Sequence, residues 1–404
     1  MMSKSVLLKD VPDGWDKKPL PSCVDKSSIP RDIKILQSEY LKSGKYPIID
    51  QGAEFVAGFT DDESKLYKGN LPVVVFGDHT RVLKYVDFQF SLGADGTKLL
   101  CPKSFLVPKY FYYYLLHVPL ESKGYNRHYK YLKEKEIIFP KKSEQGKVAF
   151  VLSEIHRAIA QQEKIIAKTK ELKRSLMHRL FTYGLRGEEL KETEIGLMPK
   201  SWEVCPIIDI VEKTKQIDPR RKSNFNFKYI DVSGISNEYF RIIEHKIYTN
   251  SDAPSRARKL VQTDDVIFAT VRPTLKRIAY IDETYDGEIC STAFCVLRSK
   301  KDISSSKYLY YYLQRDEFIE ELAKLQRGAS YPAITDGDVR RQNILLPKIE
   351  EQQEITNILS NIDKKLSQAE AQKQTLQSFF KSMLQLLMTG QVRVKDIDFG
   401  EDYE

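Results

Sequence analysis

The chain has 404 residues, 41% hydrophobic and 30% charged, which fits a soluble globular protein of two or three domains and excludes a disordered one. Its 64 Lys and Arg against 56 Asp and Glu leave a net charge of +8, a moderate excess that raises the odds of a polyanionic partner only slightly. No stretch approaches 18 apolar residues and the start, "MMSKSVLLKDVPDGW", lacks a signal-like apolar run, so a cytoplasmic protein without membrane contact is expected. Five scattered cysteines (Cys23, Cys101, Cys205, Cys290, Cys295) have neither disulfide nor zinc spacing and read as reduced core residues.

In chain order, "PDGWD" at 12–16 opens a region of short Val/Ile/Phe/Tyr-rich runs separated by Gly, Pro, Asn and Asp, which predicts a sheet with helical insertions up to about residue 140. Within it, "VVVFGDHTRVLKYVD" (73–87) is two strand-like runs around a basic turn. "KYFYYYLL" (109–116) follows Pro108, and Leu106, Tyr110, Tyr113 and Tyr114 fall at helical spacing. These tyrosines predict a helix face packed on the sheet, since adjacent tyrosines on a helix point in different directions and make a poor stacking platform. From Ser143, a candidate cap, Val148, Leu152, Ile155, Ile159, Gln162, Ile166, Thr169, Lys173, Leu176 and Leu180 form a heptad seam that ends before Gly184.

The same series then recurs. "PKSWE" (199–203) echoes "PDGWD", and "VIFATVRPTLKRIAYID" (266–282) echoes 73–87. "KYLYYYLQ" (307–314) repeats the tyrosine octamer 198 residues later, and from Pro140 and Pro347 onward the register is constant at 207 residues. A second seam runs through Ile355, Leu359, Ile362, Leu366, Ala369, Lys373, Leu376, Phe380, Met383 and Leu387, with Lys373 the misfit and Gly390 behind it. Matches in the same order mean a duplicated domain, not a solenoid. Two helices of nearly 40 residues, each with one apolar seam, are expected to pair antiparallel, with a sheet domain at either end of a rod.

Two similar domains at a fixed separation suit a ligand with a linear repeat, and local charge points to nucleic acid. The segment 122–142 carries Arg127 and six lysines among tyrosines and His128; "SRARK" (255–259), "VRPTLKR" (271–277) and "QRG" (326–328) place basic side chains on turns. Arg and Lys neutralise phosphates or reach guanine, and Asn reads adenine. The candidate DNA-contacting set is His79, Thr80, Arg81, Lys84, Asn126, Arg127, His128 and Lys130 in the first half. In the second it is Arg256, Arg258, Arg272, Thr274, Lys276, Arg277, Arg327, Ser330 and Tyr331.

The layout resembles the specificity (S) subunit of type I restriction-modification systems along nearly the whole length. It rests on "PDGW" or "PKSW", a variable domain, the pairs Glu144-Gln145 and Glu351-Gln352, and long helices ending "LMHRLFTYGLRG" and "MLQLLMTGQVRV", all twice. "GASYPAITDGDVRRQNILLP" (328–347) also matches the segment before the second helix; the first half's "KGYNRHYKYL" lacks its proline. The resemblance implies an α+β fold with pseudo-two-fold symmetry: two mixed α/β target-recognition domains separated by two antiparallel coiled-coil helices. The boundaries expected are 1–142 for the first domain, 143–186 for its helix, 187–349 for the second domain, 350–393 for the distal helix and 394–404 for an acidic tail. It further implies that each domain reads half of a bipartite double-stranded DNA target, that the helices set the spacer and dock two methyltransferase (M) subunits, and that restriction (R) subunits join that complex. S-adenosylmethionine would then sit on the M subunits, and ATP and Mg on the R subunits, with no cofactor here.

Chemistry is not expected of the chain itself. An adenine methyltransferase needs an Asn/Asp-Pro-Pro-Tyr/Phe loop and a glycine-rich turn, and the nearest segment, "DPRR" (218–221), lacks the second proline and the aromatic. There is no Walker lysine loop, and histidines 79, 117, 128, 156, 178 and 245 show no metal spacing. His79 beside Asp78 could act as a base, but the duplicated turn, "FATVRP", has neither. Two alternatives stay open: a coiled-coil scaffold with incidental basic loops, and a nuclease with an unrecognised carboxylate cluster.

Overall fold

In the computed structural model, residues 11–25, 33–93, 96–122, 124, 126–221 and 225–400 are described. The chain divides into two compact units, residues 1–163 with 371–404, and residues 164–370.

In the first unit the run Val73–Gly77 becomes a strand buried on both faces, paired antiparallel with Leu83–Val86 and Thr97–Pro102. Side chains alternate across a strand, so Val74 and Phe76 enter one core with Leu100 and Tyr110, while Val73 and Val75 enter another with Ile49, Phe90 and Leu92. A second sheet joins Lys34–Ile35, Ser91–Gly93, Tyr46–Ile49 and Gly58–Thr60. Asp16–Pro19 pairs with Glu136–Phe139 and so ties the two ends of the domain together. The second unit repeats this plan. Val266–Ala269 lies between Ile278–Tyr280 and Phe294–Leu297, with Val266 and Phe268 in one core and Ile267 and Ala269 in another. Glu203–Pro206 pairs with Asn343–Leu346 as the closing ribbon.

The tyrosine octamers are helices, Pro108–His117 and Ser306–Tyr312, with Tyr110, Tyr113 and Tyr114 buried in one and Tyr308, Tyr311 and Tyr312 in the other. Each solves the problem of a buried hydroxyl in the same way. Tyr110 donates to the Ile138 carbonyl at 2.9 Å and Tyr308 to that of Leu345 at 2.7 Å, both on the closing ribbon. The tyrosines are therefore core residues, as helical spacing predicts.

The long helices run Lys142–Tyr183 and Ile349–Met388. In each unit the start of one packs antiparallel against the end of the other. His156 meets Phe380 (ring centroids 5.3 Å) and Glu163 meets Lys373 (2.8 Å) in the first unit; Lys173 meets Asp363 (2.7 Å) and Arg186 meets Glu354 (3.0 Å) in the second. The seam lysines that break the heptad pattern are thus ion-paired along the helix interface. Ser143 is not the cap that spacing suggests: it lies inside the helix, and the Glu144 and Gln145 amides donate to Lys141 O, each at 3.0 Å. Gly184 and Gly390 follow the helices with φ of 63° and 66°, left-handed backbone that glycine adopts without Cβ strain.

The repeated Glu-Gln pairs join helix to domain. Gln145 accepts from Val107 N (2.8 Å) and donates to Phe105 O (3.1 Å) and Pro140 O (2.9 Å). Gln352 does the same with Ser305 N (2.8 Å), Ile303 O (3.0 Å) and Pro347 O (2.9 Å). One buried amide so satisfies three backbone groups at each helix start.

Candidate nucleic-acid interface

In the second unit two loops build one exposed tip. The strand Val266–Ala269 runs out at Thr270, whose hydroxyl donates to Ala293 O at 2.9 Å. The turn that follows is stitched to residues 327–334 by Arg272 N to Pro332 O (2.7 Å) and Ile334 N to Thr270 O (2.9 Å), and that second loop is closed on itself by the paired amides and carbonyls of Arg327 and Ala333. Asp338 anchors the second loop, accepting from the Thr335 amide (2.9 Å) and hydroxyl (2.7 Å), from Arg327 (3.3 Å) and from Arg341 (2.8 Å). These Thr335 bonds, with the arginine charges added, hold its carboxyl below the ordinary carboxylate range. The Thr-x-x-Asp spacing is a capping-box signature that could have marked this anchor in the sequence.

On that base Arg272 lies over the ring of Tyr331, 4.9 Å from its centroid, and Tyr331 is 71% exposed. Ser330 and Thr274 are exposed beside them. The structure thus brings Arg272, Thr274, Arg327, Ser330 and Tyr331 together. The other candidates of this half differ. Lys276 is ion-paired to Asp316. Arg277 donates to Val232 O at 3.0 Å and Ile235 O at 2.5 Å, pinning a neighbouring loop. Arg258 faces Asp218 at 3.4 Å and is mostly covered, whereas Arg256 is exposed.

In the first unit most candidates are tethered. Gln51 organises the turn, accepting from His79 N (3.2 Å) on its side chain and from the Thr80 hydroxyl (2.5 Å) on its backbone. Arg81, at φ 64°, reaches Leu120 O at 2.9 Å. Two expectations need correction. Lys84, placed at the interface by its basic turn, has a side chain only 3% exposed, bound to Glu54 O and 3.6 Å from Asp50. Burial lowers its pKa, with Asp50 opposing the shift. His128 is buried with its ring 3.0 Å from Asp78 O, while the adjacent Tyr129 amide donates to the Asp78 carboxylate at 2.7 Å. Both hold the domain together. A basic residue on a turn can point inward where a carbonyl cage receives it, which composition does not reveal. Asn126, Arg127 and Lys130 remain on the surface, Lys130 over the Tyr131 ring at 4.7 Å.

No helix of the described residues is long and apolar enough to cross a membrane, and no group of three or more His, Cys, Asp or Glu among them could hold a metal ion. Cys23, Cys290 and Cys295 are buried, and burial pushes each thiol pKa up.

The family described as type I restriction modification DNA specificity domain matches residues 199–377. The type I restriction enzyme MjaVIII specificity subunit of Methanocaldococcus jannaschii is 26% identical over 281 residues, 65% of this chain and 64% of that protein. The putative MjaX specificity subunit of the same organism is 28% identical over 278 residues, 65% of this chain and 61% of that protein. The match therefore spans less than two thirds of either relative. The crystal structure of a type I restriction-modification system S subunit from M. genitalium covers 96% of this chain and 99% of its own at a TM-score of 0.63 and 16% identity, which shows a shared fold. Residues 199–377 thus match the type I restriction modification DNA specificity domain, and the chain is similar to the specificity subunits of type I restriction enzymes.

Proposed function

We propose that the chain is the non-catalytic DNA-reading subunit of a type I restriction-modification complex. Each α/β domain reads one half of a bipartite double-stranded target, and the paired helices set the unread spacer. The observation that carries this reading is the exposed Arg272–Tyr331 tip, set on a rigid two-loop base within the matched specificity domain. Charge on a fixed frame is what groove recognition requires, since phosphate contacts position a protein and base contacts specify.

The helices supply the second part. Ile165, Leu172 and Phe379 are 40%, 51% and 49% exposed on their outer faces. Apolar side chains bared along a helix suit another protein. Because the plan is duplicated, two methyltransferase subunits would dock there, with restriction subunits joining through the complex. S-adenosylmethionine would belong to the former, and ATP and Mg to the latter.

Methylome sequencing of cells carrying this gene with its methyltransferase partner tests the reading. The expected result is one interrupted motif with two defined halves and a constant gap. Methylation without a defined motif, or a continuous motif, would overturn it. Mass measurement of the co-expressed complex checks the partner count: two methyltransferase copies are expected, and a stable one-to-one complex in excess partner would refute the duplicated docking surface.

A further inference from the structure

Arg272 and Lys276 both hold left-handed backbone, φ 50° at each, although neither is glycine and Arg272 precedes a proline. Such conformations are disfavoured for residues with a Cβ and persist only where surrounding bonds hold them. Here those bonds are visible. The Arg272 amide donates to Pro332 O at 2.7 Å, and Val271 forms a bridge with Ala333. Lys276 is fastened to Asp316. The opposing loop is closed in turn through Arg327 and Asp338.

The outcome is an arginine with a fixed root. Its guanidinium lies 4.9 Å from the Tyr331 ring centroid, with Nη2 3.4 Å from Ser330 O. Tyr331, 71% exposed, is not a core residue. Its contact with Arg272 restricts the plane of the fork while leaving most of the five N–H donors open to a ligand. Neutralising a phosphate asks only for charge and tolerates a mobile side chain. A guanine edge asks for two donors at a set spacing and plane, O6 and N7 together. Neither neighbour can do this, because Lys276 and Arg277 spend their side chains on Asp316 and on backbone carbonyls.

We propose that Arg272 determines specificity for a guanine in the half-site read by the second domain, with Tyr331 as its positioning residue. The assignment rests on the DNA-reading function above and names the base that this site takes. The test compares full-length chains carrying Arg272→Lys or Tyr331→Ala, each co-expressed with the methyltransferase partner, by methylome sequencing. Wild type should give a motif with a defined guanine that Arg272→Lys alone makes degenerate. The preference there should fall about tenfold to hundredfold, with the other half-site and the gap unchanged. Tyr331→Ala should weaken the same position, and Tyr331→Phe, which keeps the ring, should restore it. Thermal melting of Arg272→Lys should stay at the wild-type value, which separates lost base reading from lost folding. An unchanged motif with uniformly slower methylation would make Arg272 a phosphate contact and overturn the assignment, as would degeneracy at a base other than guanine. A wild-type complex that methylates no defined motif would sink the DNA-reading function and this assignment with it.

Discussion

In residues 164–370 the tyrosine helix meets the long helices through charge. Tyr311 donates to Asp363 at 2.8 Å, and Asp363 also holds Lys173 at 2.7 Å. In the other unit the corresponding positions, 207 residues away, are His156 and Phe380, which close with Tyr113 into an aromatic cluster with centroids 5.3–6.2 Å apart. The tyrosine-to-serine contact survives in both: Tyr113 to Ser153 at 3.3 Å, Tyr311 to Ser360 at 3.4 Å. The glutamates diverge in the same manner. Glu351 receives Trp202 Nε1 (3.2 Å) and Leu185 N (2.9 Å), whereas Glu144 forms a two-pronged pair with Arg393 at 2.7 and 2.8 Å. Trp15 Nε1 is left buried without a partner among the described residues. The duplicated plan thus keeps the glutamine and tyrosine bonds to backbone at each helix start and closing ribbon, and varies most of the charged and aromatic contacts around them.

The largest effects should therefore fall on the shared backbone bonds and be equal in the two halves. Gln145→Ala and Gln352→Ala each strand one amide and two carbonyls at a helix start. A buried group left unsatisfied costs about 1–3 kcal/mol, and partial rehydration should hold the total near ~3 kcal/mol. Denaturant unfolding of the two variants, with hydrogen exchange to locate the damage, checks this. If one variant were neutral, backbone satisfaction would not be the conserved element of the plan.

That division also explains what the sequence reveals. The duplication, the strand pair around each basic turn, the tyrosine helices and the antiparallel seams are all legible because periodicity and repeat order report backbone structure. Burial of Lys84 and His128 is not legible, because the acceptors that hold them, Glu54 O and Asp78 O, are carbonyls brought near by the fold. Nor is the junction of Arg272 with Tyr331, 59 residues apart, although each stands out alone as a basic or aromatic turn residue. The Glu-Gln pair is legible as a recurring motif, but the three bonds each glutamine makes are not.

A smaller, opposite pair of effects should separate the two tyrosine-helix contacts. Asp363→Ala leaves the largely covered Lys173 ammonium without its carboxylate and Tyr311 without its stronger acceptor. Asp363 is itself 30% exposed, so screening by water limits the cost to about 1–2 kcal/mol. Phe380→Ala should cost a similar ~1–2 kcal/mol through lost packing. Salt distinguishes them, since ion pairs are screened and apolar contacts are not. The penalty of Asp363→Ala, measured by unfolding at low and high salt, should shrink with salt while that of Phe380→Ala holds or grows. Equal salt responses would mean that the two contacts are not chemically distinct.

The smallest effect is a pH response confined to the aromatic side of the comparison. Burial lowers the pKa of His156, which packs on Tyr113 and Phe380, and of His117, at the end of the tyrosine helix. Around His156, Glu163 pulls the value back up and Lys109 pushes it further down. Each imidazole binds its proton less readily folded than unfolded, so the unfolded chain takes up more protons below the ordinary value of 6.5. Stability from these contacts is complete above that value and is lost as pH falls through the lower folded values. Between pH 7 and about 5, protection factors, which allow for the slower intrinsic exchange in acid, should therefore fall in 108–117 and 148–160 before they do in 306–312 and 355–366, where the contact is built on Lys173, Asp363 and Tyr311. His156→Gln should flatten part of that response while leaving exchange at neutral pH nearly unchanged. Simultaneous loosening of both segments would instead place the acid-sensitive element in something the two halves share.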